Sequence, residues 1–213
     1  MENLSSLAVL TGGSWASGVN LYLTVAGLGF AHRMEWINLP GKMEGISHPL
    51  VIGIALVLYL IEFFADKIPY VDSAWDSVHT FIRPAGATIL GYLAMADVGP
   101  AVQYPVAVLT GAVALDSHLT KATSRMAINT SPEPVSNSVA SVTEDVSVIG
   151  ALWLIITHPV ILTIAVILFV IFSFWFLKKM FHLVKKIFGR RSDEEPFGAP
   201  AEAPSQANGK GRH

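Results

Sequence analysis

Val146-Ser-Val-Ile-Gly-Ala-Leu-Trp-Leu-Ile-Ile-Thr-His-Pro-Val-Ile-Leu-Thr-Ile-Ala-Val-Ile-Leu-Phe-Val-Ile-Phe-Ser-Phe-Trp-Phe-Leu177 runs for 32 residues without one Asp, Glu, Lys or Arg. As a single helix it would extend about 48 Å, well past the roughly 30 Å of a bilayer's hydrocarbon core. A break near His158-Pro159 removes the excess. Val146 to Thr157 is then a re-entrant or steeply tilted half-helix, and the rest is a span. Three further runs lack acids and bases: Asn3 to Ala31, Gly45 to Ile61 and Val98 to Leu115. A shorter apolar run, Pro84 to Ala96, reads as a short span or as half of a broken one.

The composition agrees. Of 213 residues, 52% are hydrophobic and 14% charged, and mean hydropathy is +0.52. A soluble domain carries about 25% charged residues, so this chain has too little polar material to cover a surface in water. Cysteine is absent, which excludes disulfides, iron–sulfur clusters, thiolate zinc sites and cysteine nucleophiles. The net charge is −2, and outside one short segment near the end no basic run has aromatics at stacking intervals, so nucleic acid is not an expected partner. The expected partner is the lipid bilayer.

The ends set the expected orientation. Met1 to Ser6 carries no positive charge, unlike the n-region of a cleaved signal peptide. Lys178, Lys179, Lys185, Lys186, Arg190 and Arg191 follow the last apolar run, and positive flanks stay in the cytoplasm. Phe176 to Phe188 places apolar residues on one side and lysines on the other, as in a helix lying on an anionic leaflet. A plain stop-transfer cluster would look the same. Beyond Ser192 the composition is that of a disordered tail. Three segments follow: a transmembrane domain (1–177), a basic amphipathic helix (178–191) and the tail (192–213). With five crossings, Lys67, Arg83, Lys121 and Arg125 fall on the outer side, against the positive-inside rule. Either protein partners hold these cations, or the count is four or six.

Part of the sequence repeats. From His48 and from His158, twenty residues share His, Pro, Ile54, Ala55, Leu58, Ile61 and Phe64. Apolar composition alone would supply some of these matches. The shared His-Pro is the informative part, because proline suits a first helical turn. Leu10-Thr-Gly-Gly echoes Leu109-Thr-Gly-Ala more weakly. If Pro84 to Ala96 crosses once, the two units are inverted, a pattern found in many transporters.

The scarce polar residues fall in register. Gly13, Ser17, Asn20, Thr24, Gly27 and Ala31 form a small polar stripe that reads as close helix packing. Asn20, Tyr22 and Thr24 read alternatively as path or ligand groups. Glu62 and Asp66 share a helical face, either toward a bundle interior or at headgroup level. Asp72, Asp76, His79 and Arg83 recur at helical spacing in Pro69 to Pro84, which reads as an amphipathic surface helix or lid. Asp72, Asp76 and His79 could hold a divalent cation, although most such faces are solvated or salt-bridged. His118, Lys121 and Arg125 line another face, which reads either as a charge network with acids elsewhere or as an anion or proton path that, with a half-helix N-terminus at Glu144 to Val146, would suit an anionic group. Asn129-Thr-Ser-Pro-Glu-Pro-Val-Ser-Asn137 reads as a rigid polar loop offering Asn129, Ser131, Glu133 and Asn137, followed by Glu144-Asp145. No P-loop, GxGxxG, HExxH or GxSxG marks a known chemistry.

Ser17-Gly-Val-Asn-Leu-Tyr-Leu-Thr24, Glu62-Phe-Phe-Ala-Asp-Lys-Ile-Pro69, Asp72-Ser-Ala-Trp-Asp-Ser-Val-His79 with Arg83-Pro84, and the stretch Asn129 to Asn137 resemble an uncharacterised family of bacterial membrane proteins, domain of unknown function 4126. The resemblance extends to about Phe176. It implies a multi-span inner-membrane protein and no assigned activity, ligand or catalytic residue.

The sequence therefore predicts an all-α polytopic membrane helix bundle of about five spans, with a two-span repeat and a broken or re-entrant helix. The leading functional expectation is a small permease or channel for a small solute or ion, in a homo-oligomer, with no resident cofactor. The alternatives are a non-transporting scaffold or lipid-binding protein, and a membrane enzyme acting on a lipid headgroup with His79 or His118 as acid or base.

Overall fold

The computed structural model describes residues 2–68, 70–129 and 134–192. Among them are seven α-helices and no strand. These are α1 (Glu2–Val19), α2 (Leu21–Arg33), α3 (Pro49–Ala65), α4 (Val71–Ala94), α5 (Pro100–Ile128), α6 (Pro134–Thr157) and α7 (Pro159–Ser192), with a short 3₁₀ helix at Met43–Ser47. Four of the helices begin at proline, where the missing N–H has no intrahelical acceptor to lose. Both His-Pro copies mark such starts: Ile52 N–H donates to the His48 carbonyl and Leu162 N–H to the His158 carbonyl, each at 3.1 Å. The expected break at His158-Pro159 is present. Two units divide the chain, Met1–Lys178 and Lys179–His213, and the helical bundle is the first.

The first apolar run does not form one helix. Asn20 takes an extended conformation (φ −150°, ψ 99°) between α1 and α2. Its side-chain Oδ1 accepts from Leu23 N–H at 3.0 Å, the N-cap bond that starts α2. The chain then doubles back, so that Leu28 lies in van der Waals range of Gly13 and in the same cluster as Val9. Asn3 to Ala31 is thus a helical hairpin rather than a continuous span, with Asn20 at its tip.

Two other expected boundaries also move. The amphipathic segment from Val71 and the apolar run after Pro84 are one helix, α4, with Pro84 inside it. The polar face of that helix is buried rather than laid on a surface. The half-helix expected from Val146 is the later part of α6, which starts at Pro134. Most of the stretch expected as a loop to Asn137 lies before that start, and Asn137 itself is helical.

By length and composition α6 and α7 contain stretches able to cross a membrane, Val135–Thr157 and Pro159–Leu183. Pro49–Ala65 is apolar but shorter. The distribution of side chains is inverted relative to a protein packed for water. On α3, Leu50, Ile54, Val57, Leu60, Ile61 and Phe64 are exposed while Glu62 and Asp66 are buried. The exposed side of α7 includes Ile161, Ile164, Leu168, Ile171, Phe172 and Phe174. An apolar exterior this extensive is compatible with a membrane protein.

Inside, the bundle has two levels. One is greasy, built from Val9, Leu28, Leu39, Met43, Leu90, Ile155 and Leu162. Here α4 and α5 approach through small residues: a Cβ on Gly91 would overlap Thr110, and one on Gly111 would overlap Thr88. Thr110 Oγ1 donates across the contact to the Ala87 carbonyl at 3.0 Å. The other level, around the hairpin tip, is ionic.

Candidate functional site

Five segments converge on the ionic level: the tip Gly18–Asn20, the end of α3, the first half of α4, the second half of α5 and the first half of α6. Each contributes polar groups at helical spacing, so one face of each helix carries them all. Glu62 and Asp66 close α3. Asp72, Asp76, His79 and Arg83 line α4. His118, Lys121 and Arg125 line α5. Asn137, Ser141, Glu144 and Asp145 line α6. All except Glu144 are buried, and the Glu144 side chain is 18% exposed.

Ion pairs tie these faces together. Arg83 Nη2 lies 2.7 Å from Glu62 Oε1, and Nη1 lies 3.6 Å from Asp76 Oδ1. Lys121 Nζ is 3.2 Å from Asp66 Oδ2, 3.2 Å from Glu144 Oε2 and 3.7 Å from Glu62 Oε1. Arg125 holds Glu144 in a two-pronged clasp, Nε and Nη2 each 2.8 Å from a carboxylate oxygen. Its Nη1 donates to the Asn137 carbonyl at 3.0 Å. Inside a protein such charges persist only when paired and hydrogen-bonded. The cations that broke the positive-inside rule at Arg83, Lys121 and Arg125 are therefore held by acids within the bundle. Lys67, between α3 and α4, donates to the Phe63 carbonyl at 2.8 Å and lies over the Phe63 ring. Burial pulls its pKa below the ordinary lysine range.

The hairpin tip is bound into the same network. The last turn of a helix leaves carbonyls without intrahelical donors, and that end carries partial negative charge. Here Arg83 Nη1 donates to the Gly18 carbonyl at 3.1 Å, and Lys121 Nζ to the Val19 carbonyl at 3.2 Å. Asn20 Nδ2 donates to Asp145 Oδ1 at 3.2 Å, and Tyr59 Oη donates to Asp145 Oδ2 at 3.1 Å. Thr24 turns its hydroxyl onto the Asn20 carbonyl at 2.7 Å. Asn20, the expected lone amide, is thus the joint of a broken helix.

Geometry fixes the state of His118. Arginine only donates, so His118 Nδ1, 2.8 Å from Arg83 Nη1, is an acceptor. The proton is on Nε2, which faces the Asp76 carbonyl at 3.1 Å. His79 Nδ1 faces the Trp75 carbonyl at 2.8 Å and must donate, and its Nε2 shares a hydrogen bond of 3.0 Å with Tyr22 Oη. His118 is therefore neutral, and all four ring nitrogens have protein partners.

The charges do not balance. Glu62, Asp66, Asp72, Asp76, Glu144 and Asp145 are six carboxylates, while Arg83, Lys121, Arg125 and, at the edge, Lys67 are four cations. The formal excess is two negative charges. Glu62 Oε2, Asp66 Oδ1, Asp72 Oδ1 and both Asp76 oxygens are buried without a hydrogen-bond partner among the described residues. An excess of this kind is sustained only by bound protons or cations. Arg83, Lys121 and Arg125 are already satisfied by acids, so the site has little to offer an anion.

Asp72, Asp76 and His79 do not form a shared ligand set. Asn129 Nδ2 donates to Asp72 at 3.0 Å, Asp76 pairs with Arg83, and His79 meets Tyr22. Among the described residues no group of three or more His, Asp or Glu is placed to hold a metal ion. Ser131 and Glu133 lie outside the described residues. So do the expected tail from Asp193 onward and the side chains of Arg190 and Arg191. Lys178, Lys179, Lys185 and Lys186 are exposed.

Two grooves reach the network. One, about 300 Å³, lies between α4 and α5 and is lined by Ser73, Asp76, Ser77, Thr80 and Arg125 among others. The second, about 310 Å³, lies between α1, α5, α6 and α7 and ends at Lys121 and Glu144.

Sequence reasoning passed over Tyr59, Arg83, Glu144 and Asp145 as site residues. Arg83 had a usable signal, seven residues from Asp76 on one helical face. Glu144 and Asp145 stand directly before the apolar run, where the sequence places the start of a half-helix. The family model described as Domain of unknown function (DUF4126) matches residues 7–179. No curated protein and no solved structure matches.

Proposed function

Since the chain belongs to the DUF4126 family, whose function is unknown, its activity must be read from the site, and we propose that it is an integral membrane protein whose buried ion network passes protons or small monovalent cations. This is the permease or channel expectation narrowed to positive charge. The observation that carries it is the acid excess around a one-residue helix break, with buried carboxylate oxygens on Glu62, Asp66, Asp72 and Asp76 that lack hydrogen-bond partners among the described residues. Ionisable groups are costly inside a membrane and concentrate on ion and proton pathways. Helices interrupted at such sites expose backbone carbonyls that can take part.

In this reading Asp76 is the entry group. It faces the groove between α4 and α5, and its longer pair to Arg83 leaves it the least tied of the acids. Glu62 and Asp66 pass charge between Arg83 and Lys121, and Glu144 opens on the second groove. Lipid-facing α3 and α7 hold the network in the bilayer, and the exposed lysines from Lys178 onward face the cytoplasmic leaflet.

Flux in proteoliposomes tests it. With an imposed proton gradient, and separately with Na⁺ or K⁺ gradients, the wild-type chain should dissipate at least one. Asp76→Asn should slow that flux about tenfold or more, equivalent to at least 1.4 kcal/mol. Absence of flux for all three ions overturns the proposal. A second reading, a static membrane scaffold, draws on Arg125, whose clasp on Glu144 and bond to the Asn137 carbonyl fix α5 to α6. Silent proteoliposomes containing a folded, stable chain would favour it.

A further inference from the structure

We propose that the space between α1, α6 and α7 is a binding site for an amphiphilic ammonium compound, with its alkyl tail in an apolar cleft and its cationic head in the chamber beside Glu144. The inference rests on the membrane part of the preceding reading, because such a ligand arrives from the bilayer. It does not require the network to conduct.

The cleft is about 500 Å³ and is walled by Leu154, Leu162, Val166 and Phe169, with Trp153 at its side. It exists because α7 meets the bundle through isolated side chains. Leu162 packs toward Gly12, Thr163 faces Thr11 at 3.3 Å, Phe169 stands edge-on to Trp15, and Ser173 donates to Asp116. Trp15, Ser147 and Phe169 line this cleft and also line the 310 Å³ chamber next to it. The two spaces adjoin at these residues, with an apolar cleft on one side and a chamber carrying hydroxyls and Glu144 on the other. That shape suits a molecule with a tail and a head.

The chemistry of the polar end selects the head. Its hydroxyls have given their protons to backbone carbonyls. Thr120 donates to Asp116, Ser124 to Thr120, Thr143 to Val139 and Ser147 to Thr143, at 2.7 to 3.0 Å. Ser117 likewise donates to the Trp15 carbonyl at 2.9 Å. A hydroxyl has one proton and two lone pairs, so these side chains present acceptors to the chamber. Of the two charged groups at its end, the Lys121 side chain is 3% exposed and that of Glu144 18%. A ligand therefore meets carboxylate rather than ammonium. Lys121 and Arg125 pair with Glu144 from behind, and beyond them stands the acid excess of the network. An acceptor-lined pocket with a carboxylate at its edge and net negative charge behind it favours a head that donates and is positive.

The test uses the full chain in phosphatidylcholine nanodiscs, with ω-bromododecylammonium as ligand and ω-bromododecanoate as the matched anion. Bromine on the tail should quench Trp15 and Trp153, which line the groove. The expected result is a saturable quenching by the ammonium that is absent with the carboxylate. Gly150 lies on the cleft wall, and a Cβ there meets nothing within 4 Å. Gly150→Phe should place its ring in the cleft and abolish the saturable component, while leaving ion flux unchanged. Glu144→Gln should weaken binding about tenfold, the effect of 1.4 kcal/mol. Equal quenching by both heads, preference for the carboxylate, or saturable quenching that survives Gly150→Phe would each overturn the site. Because flux is measured on the same Gly150→Phe protein, loss of binding with retained flux separates this inference from the conduction proposal.

Discussion

Glu62 Oε1 and Arg83 Nη2 stand 2.7 Å apart with neither side chain exposed, so α3 and α4 are joined by a charge pair cut off from water. Arg83 also donates to the Gly18 carbonyl and to His118 Nδ1, so one guanidinium fastens the hairpin tip and two other helices. Breaking a buried pair by removing one partner leaves the other charge uncompensated and costs about 3–5 kcal/mol. Arg83→Met should therefore lower the melting temperature in detergent sharply. Glu62→Gln should cost less, because its amide can still accept from Arg83. The double variant should melt above Arg83→Met alone. Melting followed by scanning fluorimetry checks the order, and a double variant no better than Arg83→Met would show that the loss comes from the other contacts of Arg83 rather than from its pair with Glu62.

Asn20 permits a sharper test, because the position has two separate roles. Asn20→Ala removes the α2 cap, worth about 1 kcal/mol, and one of the two bonds to Asp145. Asn20→Asp can keep the cap but sets a second carboxylate against Asp145. Like charges at short range favour a bound proton, so the folded Asn20→Asp protein holds more protons than the unfolded chain. Its stability should then fall as pH rises through the carboxylate range, and recover toward wild type as pH drops. Melting temperatures of Asn20→Asp and Asn20→Ala, measured from about pH 5 to about pH 8, should cross. Parallel curves would mean that Asp145 is not the neighbour that matters.

Gly18 is where α1 and α5 touch. A Cβ there would overlap Ser117 Oγ and the Ala114 carbonyl, and backbone cannot move aside as a flexible side chain can. Gly18→Val should destabilise the bundle by about 1–3 kcal/mol or more, chiefly by pushing the Gly18 carbonyl off Arg83. Gly150→Val, at an open position, serves as the control and should be near neutral. Equal loss in both would indicate a general effect of valine in these helices.

What could be read from the residues depended on whether the signal was local. His48-Pro49 and His158-Pro159 carry their meaning in two adjacent residues, and both begin helices as expected. The polar faces of α4 and α5 were visible as periodicity, and both are real. What periodicity lacks is an address. Asp72, Asp76 and His79 on one side of a helix look alike whether that side meets water, a metal or another helix, and only the packing of α3, α5 and α6 decides. Asn20 was conspicuous as a lone amide, but the reversal there rests on contacts such as Gly13 to Leu28, which no spacing within one apolar run reveals. Glu144 and Asp145 misled because a change in hydropathy was taken for a helix start. The helix begins at Pro134, and the acids lie almost three turns inside it.

The end of the chain separates conduction from scaffolding. Every residue of the ionic network and of the apolar core lies within Met1–Lys178, the unit that forms the bundle. The exposed Lys179, Lys185 and Lys186 belong to the other unit, and basic residues near an anionic leaflet contribute about 1 kcal/mol each. A chain ending at Lys178 should keep the melting temperature of the full chain, and should keep its ion flux if the network conducts. A peptide covering Lys179 to His213 should bind phosphatidylserine vesicles and release from them as salt is raised. If truncation instead removes flux while the bundle stays folded, the working surface is the basic segment, and the buried charges serve to hold the helices together.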